Sequence, residues 1–370
     1  MVEGRHLLLV GGGHAHVEVV RRLAAAPLPG WRVTLLTREA MSPYSGMLPG
    51  VVAGLYRPAQ ALIDTRALAA RAGATLVLDT ATGLDPAARL LRRAAGPPIG
   101  FDLLSIDTGA TPDTNRADGA ATHAIALKPI DALLPRLQAL LARGAAEPGL
   151  RIAVVGAGAA GVEMAFALAA RLPAAVVTLV AGTSGLLPGF TCALRRRVAR
   201  ELVARRVALL AGADVAAVTE DGLRFASTPP LACDAVLWAA GAAAAPWLAE
   251  TGLARDARGF LRIDATLRAI GHPHIFAAGD VASLGESGLP KAGVFAVRQG
   301  PVLAANLRAA AQGEALGTFR PQRHFLVLLA LGDGRAIGTR GGLVFGGRWV
   351  WWWKDRIDRG FMRRYQEGTP

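Results

Sequence analysis

Apolar residues gather in an unbroken run at Leu7–Val10, recur at helical spacing after a cluster of glycines, and gather again at Val33–Leu36. A short apolar run closed by glycine predicts a strand buried on both faces, and the Ala-rich stretch behind it predicts a helix. The same pattern returns later in the chain. Leu7–Thr37 reads LLLVGGGHAHVEVVRRLAAAPLPGWRVTLLT, and Ile152–Ala181 reads IAVVGAGAAGVEMAFALAARLPAAVVTLVA. Each copy is strand, glycine turn, helix, break at Pro, and a second strand containing Val-Thr-Leu, so the sequence holds two copies of one βαβ unit and predicts two nucleotide sites.

Between and after the repeats, the alternation over Ala74–Asp85 predicts β structure, and the apolar segments FDLLSIDTGATP (Phe101–Pro112) and CDAVLWAAG (Cys233–Gly241) predict buried strands running into glycine turns. A helix over Ile130–Arg143 and the loop Gly144–Leu150 lead into the second unit. From Phe260 the chain returns to strand, then to a helix over Pro290–Ala310, a hairpin over Ala336–Phe345 and a helix over Trp349–Tyr365. That last helix is expected to place Val350, Trp353, Ile357 and Phe361 on one face, with Lys354, Asp355, Arg359 and Arg363 around it.

With 370 residues and 52% hydrophobic content, the chain has enough apolar material for two domains and a small appendage. The N-terminus shows no basic lead or cleavage site, which disfavours export, and no apolar run is long enough to cross a bilayer. A cytoplasmic protein is expected, with any membrane contact peripheral and on the inner face. The net charge of +13 comes from arginines scattered among Ala and Gly along the whole chain, which reads as compositional bias and disfavours a nucleic-acid surface. Against 38 arginines, the three lysines Lys128, Lys291 and Lys354 stand out. Cys192 and Cys233 are too few and too far apart for a metal framework or a vicinal redox pair.

The glycine turns carry the chemistry. Backbone N–H groups at a helix N-terminus bind a dinucleotide's pyrophosphate, and glycines let the chain approach it. In the second unit Gly156, Gly158 and Gly161 fill all three glycine positions, with Ala160 between them. In the first, Gly11 and Gly13 are present but His16 stands where the third glycine belongs, which predicts looser helix–strand packing, with His14 near the pyrophosphate and His16 packed inside. Neither second strand ends in the acid that commonly holds an adenosine ribose: Thr37 and Arg38 follow in the first unit, Ala181 in the second. A 2′-phosphate therefore meets no strand-end acid, Arg195–Arg197 are candidate helpers for it as well as an ordinary solvated helix face, and both NADH and NADPH stay open as electron donor.

Two Rossmann units, strands ending at Gly109 and Gly241, and HIFAAGDVA at His274–Ala282 together resemble the two-dinucleotide flavoprotein superfamily, within it the type II NADH dehydrogenase and sulfide–quinone reductase group. LVGGGHAHVEVVRRL, SPYSGMLPG, FDLLSIDTG, PKAGVFAVRQG and KDRIDRGFM are most similar to the FAD/NAD(P)-binding oxidoreductases associated with selenide, water dikinase. The resemblance covers nearly the whole chain. It implies an α/β protein of two Rossmann-like domains, the second inserted in the first: FAD-binding parts at 1–118 and 259–325, an NAD(P)H-binding domain at 119–258, and a C-terminal hairpin and amphipathic helix at 326–370. It implies FAD held by Gly11, Gly13, His14, Ala15, Thr37, Arg38, Ala81, Thr108, Gly109, Gly279 and Asp280. Pro43 and Gly46 would lie along the isoalloxazine, and Gly293 and Val294 at a helix N-terminus that faces the flavin. The nicotinamide nucleotide falls to Gly156, Gly158, Ala160, Gly161, Ala181 and Gly241. Glu163 is expected between nicotinamide and flavin, and Lys291 is expected to add positive field beside the reduced flavin.

The same resemblance implies hydride transfer from NAD(P)H to flavin and on to a second acceptor, a quinone in the first instance. A selenium- or sulfur-linked soluble acceptor and a non-catalytic, nucleotide-sensing role are the alternatives. SPYSGMLPG holds no cysteine pair, which excludes disulfide reductase chemistry, and the placement of the two cysteines argues against sulfide oxidation. The positions matching a quinone-site glutamine pair are Val294 and Arg298, with Gln299 alongside. The C-terminal WVWWWKDRIDRGFMRR suits a membrane surface, the protein's own body, or a second subunit in a homodimer.

Overall fold

The computed structural model describes residues 4–128, 130–285, 289–322 and 324–366. Both glycine turns lie within these; Met1–Glu3, Pro129, Glu286–Gly288, Arg323 and Glu367–Pro370 lie outside them.

The run Leu7–Val10 is completely buried and forms the strand Arg5–Val10 at the middle of an eight-stranded sheet. Trp31–Thr37 pairs parallel to it on one side and Leu103–Ile106 parallel on the other; Thr75–Leu78 lies outside Trp31–Thr37, and His272–Ala277 outside Leu103–Ile106. Strands from 5–106 and from 261–284 thus share one sheet, although the whole second repeat lies between them in sequence. That repeat builds its own five-stranded sheet, all parallel, with Arg151–Val155 flanked by Val176–Ala181 and Ala235–Trp238. Apolar strands covered by helices on both faces explain why these segments read as continuous apolar runs rather than alternating ones. The core divides accordingly, one cluster around Leu7–Val10, Leu104 and Phe276 and another around Val154, Phe166 and Leu179.

Both glycine turns open helices. His14–Ala25 follows Gly13, and Ala159–Arg171 follows Gly158. The expected helix at Pro290 begins instead at Gly293 and runs to Gln312; it lies along His14–Ala25, where Gly300 sits against Glu18 and leaves no room for a Cβ.

The packing expected around His16 is corrected. Its imidazole is fully buried, with Nδ1 donating to the Gly11 carbonyl at 2.7 Å and Nε2 accepting from the Ser105 hydroxyl at 2.8 Å. The side chain fills and hydrogen-bonds the space that a third glycine would leave for close contact, so the helix is tied to the sheet rather than loosened from it.

The C-terminal hairpin is Ala336–Arg340 and Leu343–Gly347, joined on its other side by Val327–Ala330, and it leads into the helix Arg348–Gln366. The expected face of that helix is also corrected. Val350 and Phe361 are buried, but Trp353 and Ile357 are exposed, while Lys354, counted among the surrounding charges, is buried together with Asp358. Two faces at different heights replace one stripe: the first half turns Trp349, Trp352, Trp353 and Ile357 outward, and the second half buries Phe361, Met362 and Tyr365 against the first domain.

Candidate functional site

A cleft of about 390 Å³ opens at the C-terminal ends of Arg5–Val10, Trp31–Thr37 and Leu103–Ile106, where an open parallel sheet places its ligands. Gly11, Gly13, His14, Thr37, Arg38, Pro43, Ala81, Thr108, Gly109, Asp280 and Gly293 line it. Gly11 has φ +99° and a Cβ there would lie 2.3 Å from the Asp107 carbonyl oxygen, so this backbone admits only glycine. These features fit a dinucleotide cofactor: a helix N-terminus, glycines at the approach, and a narrow cleft reaching from strand ends to the Pro43 segment.

Four of the residues proposed for FAD stand behind the wall of the cleft. The Ala15 N–H is taken by Asp107 at 2.8 Å. Gly279, at φ +70°, donates its N–H to Gln299 Oε1 at 2.7 Å, so Gln299 is a buried support of that turn. Val294 is half-buried in the first turn of its helix. The side-chain space missing at Gly46 is filled by the Tyr44 ring, 2.9 Å from where a Cβ would stand.

Lys291 requires a correction. Its Nζ donates to the Ala282 carbonyl at 2.7 Å and sits 3.7 Å from the centre of the Phe260 ring, so it is turned away from the cleft; burial lowers its pKa to about 8. The lysine that lines the cleft is Lys128, paired with Asp280 at 3.1 Å. The expected absence of acid at the strand ends is also qualified. Glu39, two residues beyond Thr37, lines the first site. In the second unit Asp214 takes both the Thr183 N–H (3.0 Å) and its hydroxyl (2.8 Å), and its Oδ1 occupies the space of a side chain on Gly182, directly after Ala181.

Around the second glycine turn, Gly156 has φ +106° and a Cβ on Gly161 would lie 1.8 Å from the Gly156 carbonyl oxygen; Gly158 faces open space. Ala160 stands in the helix's first turn, and Gly241, at φ +69°, ends the loop after Ala235–Trp238. Glu163 lies one turn further along that helix. Its Oε1 accepts the Ala330 N–H at 2.8 Å, and burial, partly offset by Lys354, raises its carboxyl to about 7.

Behind the Pro43 segment lies a polar cluster not anticipated from sequence. Lys354 Nζ binds Asp358 Oδ2 at 2.8 Å and donates to the Gly46 carbonyl at 2.8 Å, while the Tyr44 hydroxyl donates to Asp358 Oδ1 at 3.1 Å. Tyr44 in turn stacks on Phe361 at 4.4 Å, and both rings meet His14 edge-on. The C-terminal helix is thereby pinned to the loop that forms one wall of the cleft.

Asp107 was also missed. It closes the buried strand Leu103–Ile106 and is 2% exposed. The available signal was its place: a carboxylate at the C-terminal end of an apolar strand, immediately before Thr108-Gly109, is where a parallel sheet meets its ligand.

Two glycine turns, each at the end of a parallel-paired strand, one cleft lined by the first turn and a second turn complete in its glycines, define a protein that handles two dinucleotides. The chain belongs to the pyridine nucleotide-disulphide oxidoreductase family, whose model matches residues 5–300. Its cofactors are those of the family, FAD together with NADH or NADPH. An NADH dehydrogenase-like protein of Mycobacterium tuberculosis is 31% identical over 228 residues, covering 57% of this chain and 56% of the relative, so the chain's match spans just over half of that protein. A second NADH dehydrogenase-like protein, YutJ of Bacillus subtilis, is 25% identical over 327 residues, 86% of this chain and 87% of the relative. Among solved structures, the sulfide:quinone oxidoreductase of Aquifex aeolicus superposes with a TM-score of 0.83 at 17% identity, over 99% of this chain and 92% of that one, which establishes a shared fold.

Proposed function

We propose that the chain is an FAD-dependent NAD(P)H dehydrogenase that delivers electrons to a quinone at a membrane surface, as the names of its NADH dehydrogenase-like relatives suggest for the donor side. Bound FAD would accept hydride from the nicotinamide and pass electrons onward. The chain's residues position and enclose it: the Gly11–His14 turn and Asp280 hold the cofactor, the Gly156–Gly161 turn holds the nicotinamide nucleotide, and the Gly293 helix N-terminus offers positive field to a reduced flavin. Glu163, its carboxyl raised to about 7 by burial, carries a proton part of the time near neutral pH and so suits the orienting of a nicotinamide carboxamide. Asp214 sets a negative charge beside the end of Val176–Ala181, which disfavours a 2′-phosphate and makes NADH the preferred donor.

One observation favours a quinone over a soluble acceptor. Leu343 (74% exposed), Trp349, Trp352 (69%), Trp353 and Ile357 form a continuous outward apolar face, with Phe345, Trp349 and Trp353 stacked and Arg348 and Arg356 exposed beside them. Tryptophans with flanking arginines suit the headgroup layer of a bilayer, where a quinone is reached. Among the described residues no helix is long and apolar enough to cross a membrane, so contact would be along the surface.

The test begins with the purified protein. It is expected to be yellow, to bleach anaerobically with NADH, and to regain its colour with a water-soluble quinone; Glu163→Ala is expected to slow the bleaching. A protein that bleaches but is re-oxidised only by sulfur or selenium compounds would replace the quinone reading, and one that never bleaches would favour a regulatory role. Vesicles containing anionic lipid are expected to retain the wild type but not a Trp349→Ser/Trp352→Ser/Trp353→Ser variant, and an unretained wild type removes the membrane from the proposal.

A further inference from the structure

Three glycine positions of the FAD cleft converge on one residue, two of them on its side chain. A Cβ on Gly13 would stand 2.3 Å from the Asp107 carboxyl carbon and 2.4 Å from each carboxyl oxygen; one on Gly279 would stand 2.5 Å from Oδ1; one on Gly11 meets the Asp107 backbone. The carboxyl thus fills the space beside Gly13 that a glycine turn leaves for close approach to a ligand. Its Oδ2 accepts the N–H groups of Ala15 (2.8 Å) and His16 (3.0 Å), two of the donors that a helix N-terminus otherwise offers to an anion. Asp107 also lines the cleft that takes the cofactor.

An ionised carboxylate there would face the doubly negative diphosphate across the same helix N-terminus. We propose that Asp107 is the residue that reads the cofactor's diphosphate, accepting a proton when FAD binds, so that the neutral carboxyl caps the helix through one oxygen and turns its O–H toward the bound anion. Proton balance is simple: one proton is taken from solvent to the Asp107 carboxylate, and no covalent bond changes.

The surroundings support a carboxyl that changes charge near neutrality. Burial raises it to about 7, the helix N–H groups oppose that, Asp280 adds to it and Lys128 reduces it. The other charged or titratable groups at this end of the sheet are His14 and His16 on the helix, both held neutral above about pH 4 by burial, Arg38 and Glu39 at the end of Trp31–Thr37, and Lys291, lowered to about 8 by burial and within electrostatic reach of Asp280. Neither histidine changes charge between pH 6 and 9. The inference stands whether or not a quinone is the acceptor, because it concerns retention of FAD alone.

The experiment strips FAD from the full chain and measures its rebinding by quenching of flavin fluorescence between pH 6 and 9, with calorimetry at pH 8 in buffers of different ionisation enthalpy. One-proton linkage weakens wild-type affinity as pH rises, about fivefold from pH 7 to 8 and approaching tenfold per unit above that, with uptake approaching one proton at pH 8. Asp107→Asn, uncharged and of the same shape, is expected to bind FAD with no pH dependence and no proton uptake. Glu163→Gln, which removes the other carboxyl titrating near 7 but outside the cleft, keeps the wild-type slope. A flat wild-type affinity, or an Asp107→Asn protein that retains the slope, overturns the proposal; loss of stability in that variant with the slope intact would make Asp107 a helix cap only. Should the asparagine variant fail to fold, the wild type, Glu163→Gln and Lys291→Met decide: no proton uptake by the wild type overturns the assignment, and uptake that survives in both variants upholds it.

Discussion

Replacing Lys354 with methionine tests how the C-terminal helix is fastened to the Tyr44–Gly46 loop. The side chain is 8% exposed and its partner Asp358 5%, with Nζ and Oδ2 at 2.8 Å, so neither charge reaches water. Methionine keeps the length of the stem but removes the ammonium, which leaves Asp358 buried with only the Tyr44 hydroxyl at 3.1 Å and leaves the Gly46 carbonyl without its donor. Removing one member of such a pair costs about 3–5 kcal/mol, whereas exchanging both for apolar residues of similar volume is often neutral. Lys354→Met and Asp358→Leu are therefore each expected to destabilise the FAD-loaded protein by about 3 kcal/mol or more, and the double variant by less than either. Urea unfolding of the four proteins, followed by flavin release and by circular dichroism, gives the cycle. Single variants that each cost under about 1 kcal/mol, with an additive double variant, would show the pair to be hydrated and would refute the reasoning.

Further outcomes follow from the same geometry. The Glu163 carboxyl is held higher in the folded state than in the unfolded chain, so the native protein binds its proton more tightly and stability falls as pH rises from about 4.5 through 7, by up to about 3 kcal/mol at pH 8. Glu163→Gln, which preserves the acceptor for Ala330, should match the wild type near pH 4.5 and exceed its stability at pH 8; a pH-independent difference contradicts this. His16 shows the opposite sense. Burial depresses its pKa to about 4, the unfolded chain takes up the proton first, and stability is lost as pH falls from 6.5 toward 4, a loss that His16→Gln should reduce. Gly161→Ala places a methyl against the Gly156 carbonyl and should abolish NADH-dependent flavin bleaching while FAD stays bound, as judged by the visible spectrum. Asp214→Asn should narrow the ratio of kcat/KM for NADH over NADPH by about tenfold, and an unchanged ratio removes Asp214 from nucleotide choice.

Much of the architecture is legible in the residues alone. The two repeats, their buried parallel strands and the glycine turns follow from local rules: apolar runs need cover on both faces, and a turn that must approach a phosphate needs glycine. The lysines are conspicuous because an arginine-rich composition makes them rare, and each is engaged: Lys128 with Asp280, Lys291 with Ala282 and Phe260, Lys354 with Asp358. What a lysine faces, however, depends on elements distant in sequence, and for that reason Lys291 turns to Phe260 where the motif around it points to the flavin.

Periodicity and turn chemistry act over a few residues, and they suffice to make this an α/β protein with two unequal dinucleotide units. Which polar groups are deprived of water depends instead on contacts between distant segments. Asp107 meets Gly13 and His16 across more than ninety positions, Glu163 meets Ala330 across more than 160, and Asp358 meets Tyr44 across more than 300. Burial sets the charge state of such groups, and burial exists only after the sheets, the helices and the C-terminal hairpin have closed around them.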